Sequence, residues 1–244
     1  MNFFLNEQRV ILIGGTGGIG SSLLKGLLEQ GCTVGMSFYN SSILLSESEK
    51  KLYQDRLYLQ KVDVTDPESI KFGLKCLINK LGRVDAFIYN SGICKDSLLG
   101  LMKLSDWHDV MDVNLNGAFL TTRIVSNHML KSKNGKILFI SSSKGVTGSY
   151  GQANYSASKA ALIGFAKSIA RDLGKFNISV NVVCPGFIKT PLNQDVPYKH
   201  AAAIERSVLS MTSSTSEVTD FILYMLSSSV FSISGQVFQL DSRL

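Results

Sequence analysis

The sequence predicts an α/β protein: a doubly wound parallel sheet of about seven strands, helices on both faces, one domain over residues 1–244. Three observations carry this. Apolar runs of strand length alternate with helix-length runs from one end of the chain to the other. Such alternation implies right-handed crossovers between parallel strands. Several strands run into turns of small residues, and ligands collect at that carboxyl edge in an open sheet.

Arg9–Gly14 is a short apolar run ending in glycine, as a buried parallel strand requires. Gly14–Gly20 (GGTGGIG) follows, and then Ser21–Gln30, whose Leu23, Leu24, Leu27 and Leu28 have helical spacing. The glycines therefore stand between a strand and a helix. There they permit a tight turn, let a dinucleotide's phosphates approach the backbone, and aim a helix N-terminus at the anion. Gly14, Thr16, Gly18, Ile19 and Gly20 are the candidate pyrophosphate residues, at G-x-x-x-G-x-G spacing. Cys32–Phe38 is the second strand. An acid about twenty residues past the glycines often holds the adenosine ribose. This chain has Phe38, Tyr39, Asn40 and Ser41 there instead. The missing carboxylate favours NADPH, and the lack of an arginine, at Gly17 or here, leaves NADH open.

Ser46–Gln54 is a charged surface helix and Leu57–Val62 the third strand, ending in Asp63-Val64-Thr65-Asp66. Asp66 as N-cap and Pro67 at the first helical position start a helix that stops at Gly82. Val84–Tyr89 is the fourth strand. Asn90-Ser91-Gly92 after it is either a cofactor shelf or an ordinary turn. Ser105 is expected to cap one long helix through Ser132, apolar on more than one face and so packed on two neighbours, one in another subunit. Asn114 in its middle is unfavourable by propensity. Gly135–Ser141 and Ser179–Cys184 are strands five and six, with the helix Tyr155–Phe176 between them. Pro185–Pro191 is a turn. Asp195–Leu209 and Ser216–Leu226 are helical, Val237–Leu240 is the last strand, and a substrate lid is expected around 190–215.

The chemistry concentrates in Ser142–Lys159. Tyr155 and Lys159, four apart, share one helix face. Ser142 stands at a strand end thirteen residues earlier. An ammonium beside a phenol favours the phenolate and is expected to lower its pKa. A hydroxyl aimed at the same point can hold a carbonyl oxygen. Tyr-x-x-x-Lys alone is common on helices. Its weight here comes from Gly14–Gly20, Asn90–Gly92, Ser142 and Pro185–Thr190 all falling on one sheet edge.

Hydrophobic residues make up 45% of the chain and charged ones 18%, which describes a globular protein with a large core. The net charge of +6 is spread along the chain, without the clustered footprint of a nucleic-acid binder. It suits an acidic protein partner or a phosphorylated substrate. Cys32, Cys76, Cys94 and Cys184 lack C-x-x-C spacing, and the first, second and fourth read as core residues of a reducing compartment. His108, His128 and His200 lack ligand spacing, so no metal is expected. The N-terminus does not read as a signal peptide and no run is long enough to span a membrane, so a cytoplasmic location is expected.

These motifs resemble the short-chain dehydrogenase/reductase family over nearly the whole chain. Ile13–Gly20 matches its glycine motif with Ile13 for the usual threonine, and Tyr89-Asn90-Ser91-Gly92 its Asn-Asn-Ala-Gly. Asn114, Ser142, Tyr155 and Lys159 match its catalytic residues, and Pro185-Gly186 its Pro-Gly turn. Within the family the chain is most similar to the branch that reduces 3-oxoacyl thioesters on acyl carrier protein. Carrying this similarity are Gly92-Ile93, Asp96–Leu99, Val113–Leu115, Gly151–Tyr155 and Val180–Ile188. The resemblance implies a Rossmann-type fold, NADP(H) with NAD(H) as the alternative, a role in fatty acid biosynthesis, and a homotetramer built partly on the two long helices. It also implies adenine contacts at Asp63 and Val64 and ribose contacts at Asn90, Ser91 and Gly92. Tyr155, Lys159, Pro185, Gly186, Ile188 and Thr190 would surround the nicotinamide end. Lys133 matches a basic position that docks the acidic carrier protein, and Lys175 adjoins a second. Alternatives are a reductase of a free carbonyl or CoA thioester, and a cofactor-binding protein without catalysis. Two segments depart from the family: Ser207–Ser216 lacks its Gly-Arg, and Leu240–Leu244 replaces its Val-Asp-Gly-Gly ending.

Overall fold

The computed structural model describes Phe3 and residues 5–40, 43–188 and 197–243. Seven parallel strands form one sheet: β1 (Arg9–Ile13), β2 (Thr33–Phe38), β3 (Leu57–Lys61), β4 (Ala86–Tyr89), β5 (Gly135–Ile140), β6 (Ile178–Pro185) and β7 (Val237–Leu240). Their order is β3-β2-β1-β4-β5-β6-β7. The strand order reverses between β1 and β4, so both flanking turns open there on the carboxyl edge.

The strands have two apolar faces because side chains alternate with period two. Val10 and Leu12 of β1 join Val34, Met36 and Ile88 on one face. The helices α1 (Gly18–Glu29) and α9 (Thr215–Leu226) cover it with Leu23, Leu24, Leu27 and Ile222. Ile11 and Ile13 point the other way, to Phe87, Tyr89 and Phe139. That face is covered by α3 (Pro67–Leu81), α5 (Gly117–Ser132) and α7 (Ala153–Gly174) through Leu74, Met129 and Leu162. Truncating a fully buried leucine such as Leu12 to alanine should cost about 2–5 kcal/mol. The helix α2 (Glu47–Leu52) carries a Ser46 capping box with Glu49. Asp66 caps α3, whose Pro67 takes the first helical position, and Gly82 ends it at φ 74°.

Three sequence expectations need correction. Ser105 is not a cap: α4 (Leu104–Met111) starts one residue before it, and the extended cap backbone falls on Lys103, which makes no side-chain cap bond. The long helix is not continuous either. Asp112–Asn116 widens into a π-turn between α4 and α5. The inserted residue frees backbone groups, and buried Tyr89 takes one, its hydroxyl donating to the Val113 carbonyl at 2.5 Å. Gly117 makes this approach possible, since a Cβ there would lie 2.7 Å from the Tyr89 hydroxyl. Finally, Cys76 is only half-buried, because it lies off the inward stripe of α3, whereas Cys32 and Cys184 are fully buried. Two short helices complete the chain, α6 (Lys144–Thr147) and α8 (Pro197–Glu205). Part of the expected 190–215 lid and the start of its helix lie outside the described residues. No helix among the described residues is long and apolar enough to cross a membrane.

Candidate active site

The glycine turn and the Asn90–Gly92 turn interlock. Asn90 donates its amide Nδ2 to the Gly14 carbonyl at 2.6 Å, and its backbone N–H donates to Ile13. Gly14 has φ +81°, and a Cβ there would lie 2.5 Å from the Ser91 hydroxyl. A Cβ on Gly20 would fall 2.3 Å from the Gly14 carbonyl. Gly18–Gly20 form the first turn of α1 rather than a loop, so the helix starts three residues earlier than its leucines suggest. The amino end of α1 has no side-chain cap and no acid in its first turn. Gly17 has nothing within 4 Å of a built Cβ. Free N–H groups, a positive helix end and open space fit a dinucleotide pyrophosphate.

Asp63 lies beyond β3. Burial raises its carboxyl pKa, but hydrogen bonds from Thr65 and Tyr39 outweigh this and hold it below the usual carboxylate range. Thr65 donates its hydroxyl at 2.7 Å and its backbone N–H at 2.9 Å. Pro185 ends β6, Gly186 follows, and Ile188 is buried. Thr190 lies outside the described residues.

Ser142, Tyr155, Lys159 and Asn114 meet where β5 ends. The Ser142 hydroxyl lies close enough to the Tyr155 phenol to lower its pKa. Lys159 is buried, its ammonium donating to the Ile140 carbonyl at 2.9 Å. Its own carbonyl accepts the Ser141 hydroxyl at 2.8 Å, which locks α7 to the strand end. A Cβ on Gly92 would lie 3.1 Å from the Lys159 ammonium and 3.3 Å from Asn114 Oδ1. A side chain there would press on both groups, so glycine eases the close approach of the β4 turn. The Asn114 side chain is held by Ile93 and Ser158. Oδ1 accepts from the Ile93 N–H at 2.8 Å, and Nδ2 donates to the Ile93 carbonyl at 3.1 Å and to Ser158 at 2.9 Å. The π-turn thus aims Asn114 inward as a strut between β4 and α7.

The electrostatics reverse one expectation. Tyr155 is not acidified. Burial pushes its phenol up to about 12, against the opposing Ser142 bond, with Cys94 and Asp96 adding to the rise. Lys159 cannot reverse this. Its ammonium is 5.7 Å from the ring centroid and engaged with Ile140, and burial brings its own pKa down to about 8.

The sequence placed Gln152 in the Gly151–Tyr155 run that carries the resemblance but gave it no role. Gln152 donates to Cys94 Sγ at 3.1 Å and to Asp96 at 2.9 Å, tying the β4 turn to the start of α7. The Ser97 N–H donates to the Gly151 carbonyl beside it. Two open clefts, of about 540 and 510 Å³, run along α7 beside β7 and do not include Tyr155.

A phosphate-ready glycine turn beside a serine–tyrosine–lysine cluster defines a dinucleotide-dependent oxidoreductase. The family model for short chain dehydrogenase matches residues 8–201. Over 243 residues the chain is 38% identical to the 3-oxoacyl-[acyl-carrier-protein] reductase FabG of Thermotoga maritima, covering 98% of each. It is 32% identical over 249 residues to the acetoacetyl-CoA reductase of an Acinetobacter species, covering 98% of this chain and 99% of that one. The crystal structure of gox2181 superposes with a TM-score of 0.91 at 26% identity, over 98% of this chain and 96% of the other. The chain belongs to the short-chain dehydrogenase family and is an NAD(P)H-dependent oxidoreductase with a Rossmann-type sheet.

Proposed function

We propose that this protein reduces a 3-oxoacyl thioester, carried on acyl carrier protein, to the 3-hydroxyacyl form, with NADPH preferred over NADH. The observation that carries the reading is the meeting of Ser142 and the Tyr155 phenol at the end of β5 beside buried Lys159. The pyrophosphate is assigned to Gly14, Thr16, Gly18, Ile19 and Gly20, the adenine to Asp63 and Val64, and the ribose to Asn90, Ser91 and Gly92. Pro185, Gly186, Ile188 and Thr190 take the nicotinamide end. A bound nicotinamide supplies the hydride.

Ser142 holds the keto oxygen of the substrate, and Tyr155 delivers a proton to that oxygen. A phenol that stays protonated at neutral pH is suited to act as the acid, and such help is typically worth ~10²–10⁴-fold. Lys159 offers a cation at the same wall for the nicotinamide ribose. Asn114, whose side chain is held by Ile93 and Ser158, is assigned a water that relays protons to Lys159.

Exposed Lys133, at the left-handed end of α5, and exposed Lys175, after α7, are assigned to the acidic carrier protein. A cationic rim acts chiefly through the rate of encounter. A homotetramer is assigned to the outer faces of α5 and α7. Phe119 there is 44% exposed and stacks edge-on against Phe165. The likeness to an acetoacetyl-CoA reductase favours one second reading, a CoA thioester as substrate. A panel on purified protein separates these: NADPH or NADH, against acetoacetyl carrier protein, acetoacetyl-CoA and a free ketone. The carrier-bound thioester with NADPH should be fastest. Equal or faster turnover of the CoA ester would favour the second reading.

A further inference from the structure

The carboxyl-terminal segment, where this chain departs from its family, closes onto the active-site edge. Arg243 donates its Nε to both Asp241 oxygens, at 2.8 and 3.0 Å, and its Nη2 to Asp241 at 2.5 Å. The same Nη2 donates to the Ser143 hydroxyl at 3.0 Å. The two side chains of the ion pair are only 15% and 13% exposed, and Ser143 is buried. The Ser143 N–H donates to the Pro185 carbonyl, and the Gly186 N–H to the Leu240 carbonyl, both at 2.9 Å. A Cβ on Gly186 would collide with the Asp241 carboxyl at 2.6 Å. Ser242 adds a 2.6 Å hydroxyl contact with Ser207.

We propose that Arg243 is a positioning residue for Ser142: its guanidinium, braced by Asp241, fixes the Ser142–Ser143 turn against the Pro185–Gly186 turn. This rests on the reading of Ser142 as the hydroxyl that holds the keto oxygen. Ser142 is anchored on its amino side by Ser141, whose hydroxyl is bound to Lys159 and whose N–H is bound to Val183. On its carboxyl side the Ser142 hydroxyl accepts from the Lys144 N–H at 3.2 Å, and the neighbouring Ser143 hydroxyl is tied to Arg243. A guanidinium is a rigid planar fork that holds a carboxylate and a third acceptor in one arrangement, which a lysine ammonium does not reproduce. The Asp241–Arg243 pair therefore does more than fasten the chain end. It sets where the Ser142 hydroxyl stands relative to Tyr155.

The test uses the full chain and the variants Ser143→Ala, Arg243→Lys, Ser143→Thr and the Ser143→Ala/Arg243→Lys double. Turnover and KM are read with NADPH and an acetoacetyl thioester, alongside thermal melting and the Tyr155 ring resonance from ¹³C-labelled tyrosine, assigned with Tyr155→Phe. Ser143→Ala and Arg243→Lys should each lower kcat about tenfold with the KM for NADPH little changed. The double variant should be no slower than the worse single one, because both break one link. Ser143→Thr, which keeps the hydroxyl, should restore most of the turnover, and the Tyr155 resonance should move in Ser143→Ala. Unchanged kcat in Ser143→Ala, or effects that multiply in the double variant, would overturn the proposal and leave a simple staple. Wild-type protein that reduces no thioester would sink the proposed function instead. The Tyr155 resonance then decides alone: a shift in Ser143→Ala supports the link, and an unmoved line refutes it.

Discussion

The ammonium of Lys159 donates to the backbone carbonyl of Ile140 at 2.9 Å, inside a wall that excludes water. Burial lowers its pKa from 10.5 to about 8. The folded protein therefore binds fewer protons at this group than the unfolded chain between about pH 8 and 10.5. Stability from this group rises with pH through that window, and the full cost of the buried charge is present below it. Replacing Lys159 by methionine should raise stability by roughly 3 kcal/mol below pH 8, less what the Ile140 bond returns, and abolish reduction. Thermal melts of both proteins at pH 6.5 and 9.5 check this. The gap in melting temperature should narrow at the higher pH.

Asn114 makes a different kind of contribution. Its amide satisfies both backbone groups of Ile93 and the Ser158 hydroxyl. Asn114→Ala should lose stability, at about 1–3 kcal/mol for each buried group left unpaired, and turnover should fall with it. Urea unfolding together with kinetics reads both. Lost turnover at full stability would mean that the side chain serves the reactants directly.

Gly14 and Gly17 separate folding from binding. Gly14→Ala meets Ser91 at a positive φ and should cost about 1–3 kcal/mol or prevent folding. Gly17 has an extended backbone and free space around it. Gly17→Arg should leave the melting temperature nearly unchanged and tighten NADPH over NADH by about tenfold, by supplying the cation this chain lacks. Cofactor titrations followed by fluorescence test the pair.

Lys133→Glu should raise KM for an acyl-carrier-protein substrate by about three- to tenfold and leave an acyl-CoA substrate unaffected. The effect should fade as salt is added. Steady-state kinetics on the two substrates at two ionic strengths provide the comparison.

The sheet, its helices and the edge where the site forms were legible because period-two and helical patterns, Asp66-Pro67, and the glycine turns are local signals. Ser142, Tyr155 and Lys159 were proposed from their spacing, from the turns that converge on one sheet edge and from the family motifs they match. What escaped was set by tertiary contact. At the π-turn a freed carbonyl is taken by Tyr89, far away in sequence and admitted by Gly117, and Asn114 in mid-helix was the local trace of it. The direction of the Tyr155 shift depends on burial by neighbouring elements, which a Tyr-x-x-x-Lys spacing does not contain. Arg243 reaches Ser143 across a hundred residues, so no window of sequence could join them.

The most direct test of the central claim is the turnover of Tyr155→Phe, measured beside its affinity for NADPH. Removing one hydroxyl should cut kcat at least about a hundredfold while cofactor binding stays near wild type. Near-normal turnover in that variant would contradict the account, because the proton would then come from somewhere other than this phenol.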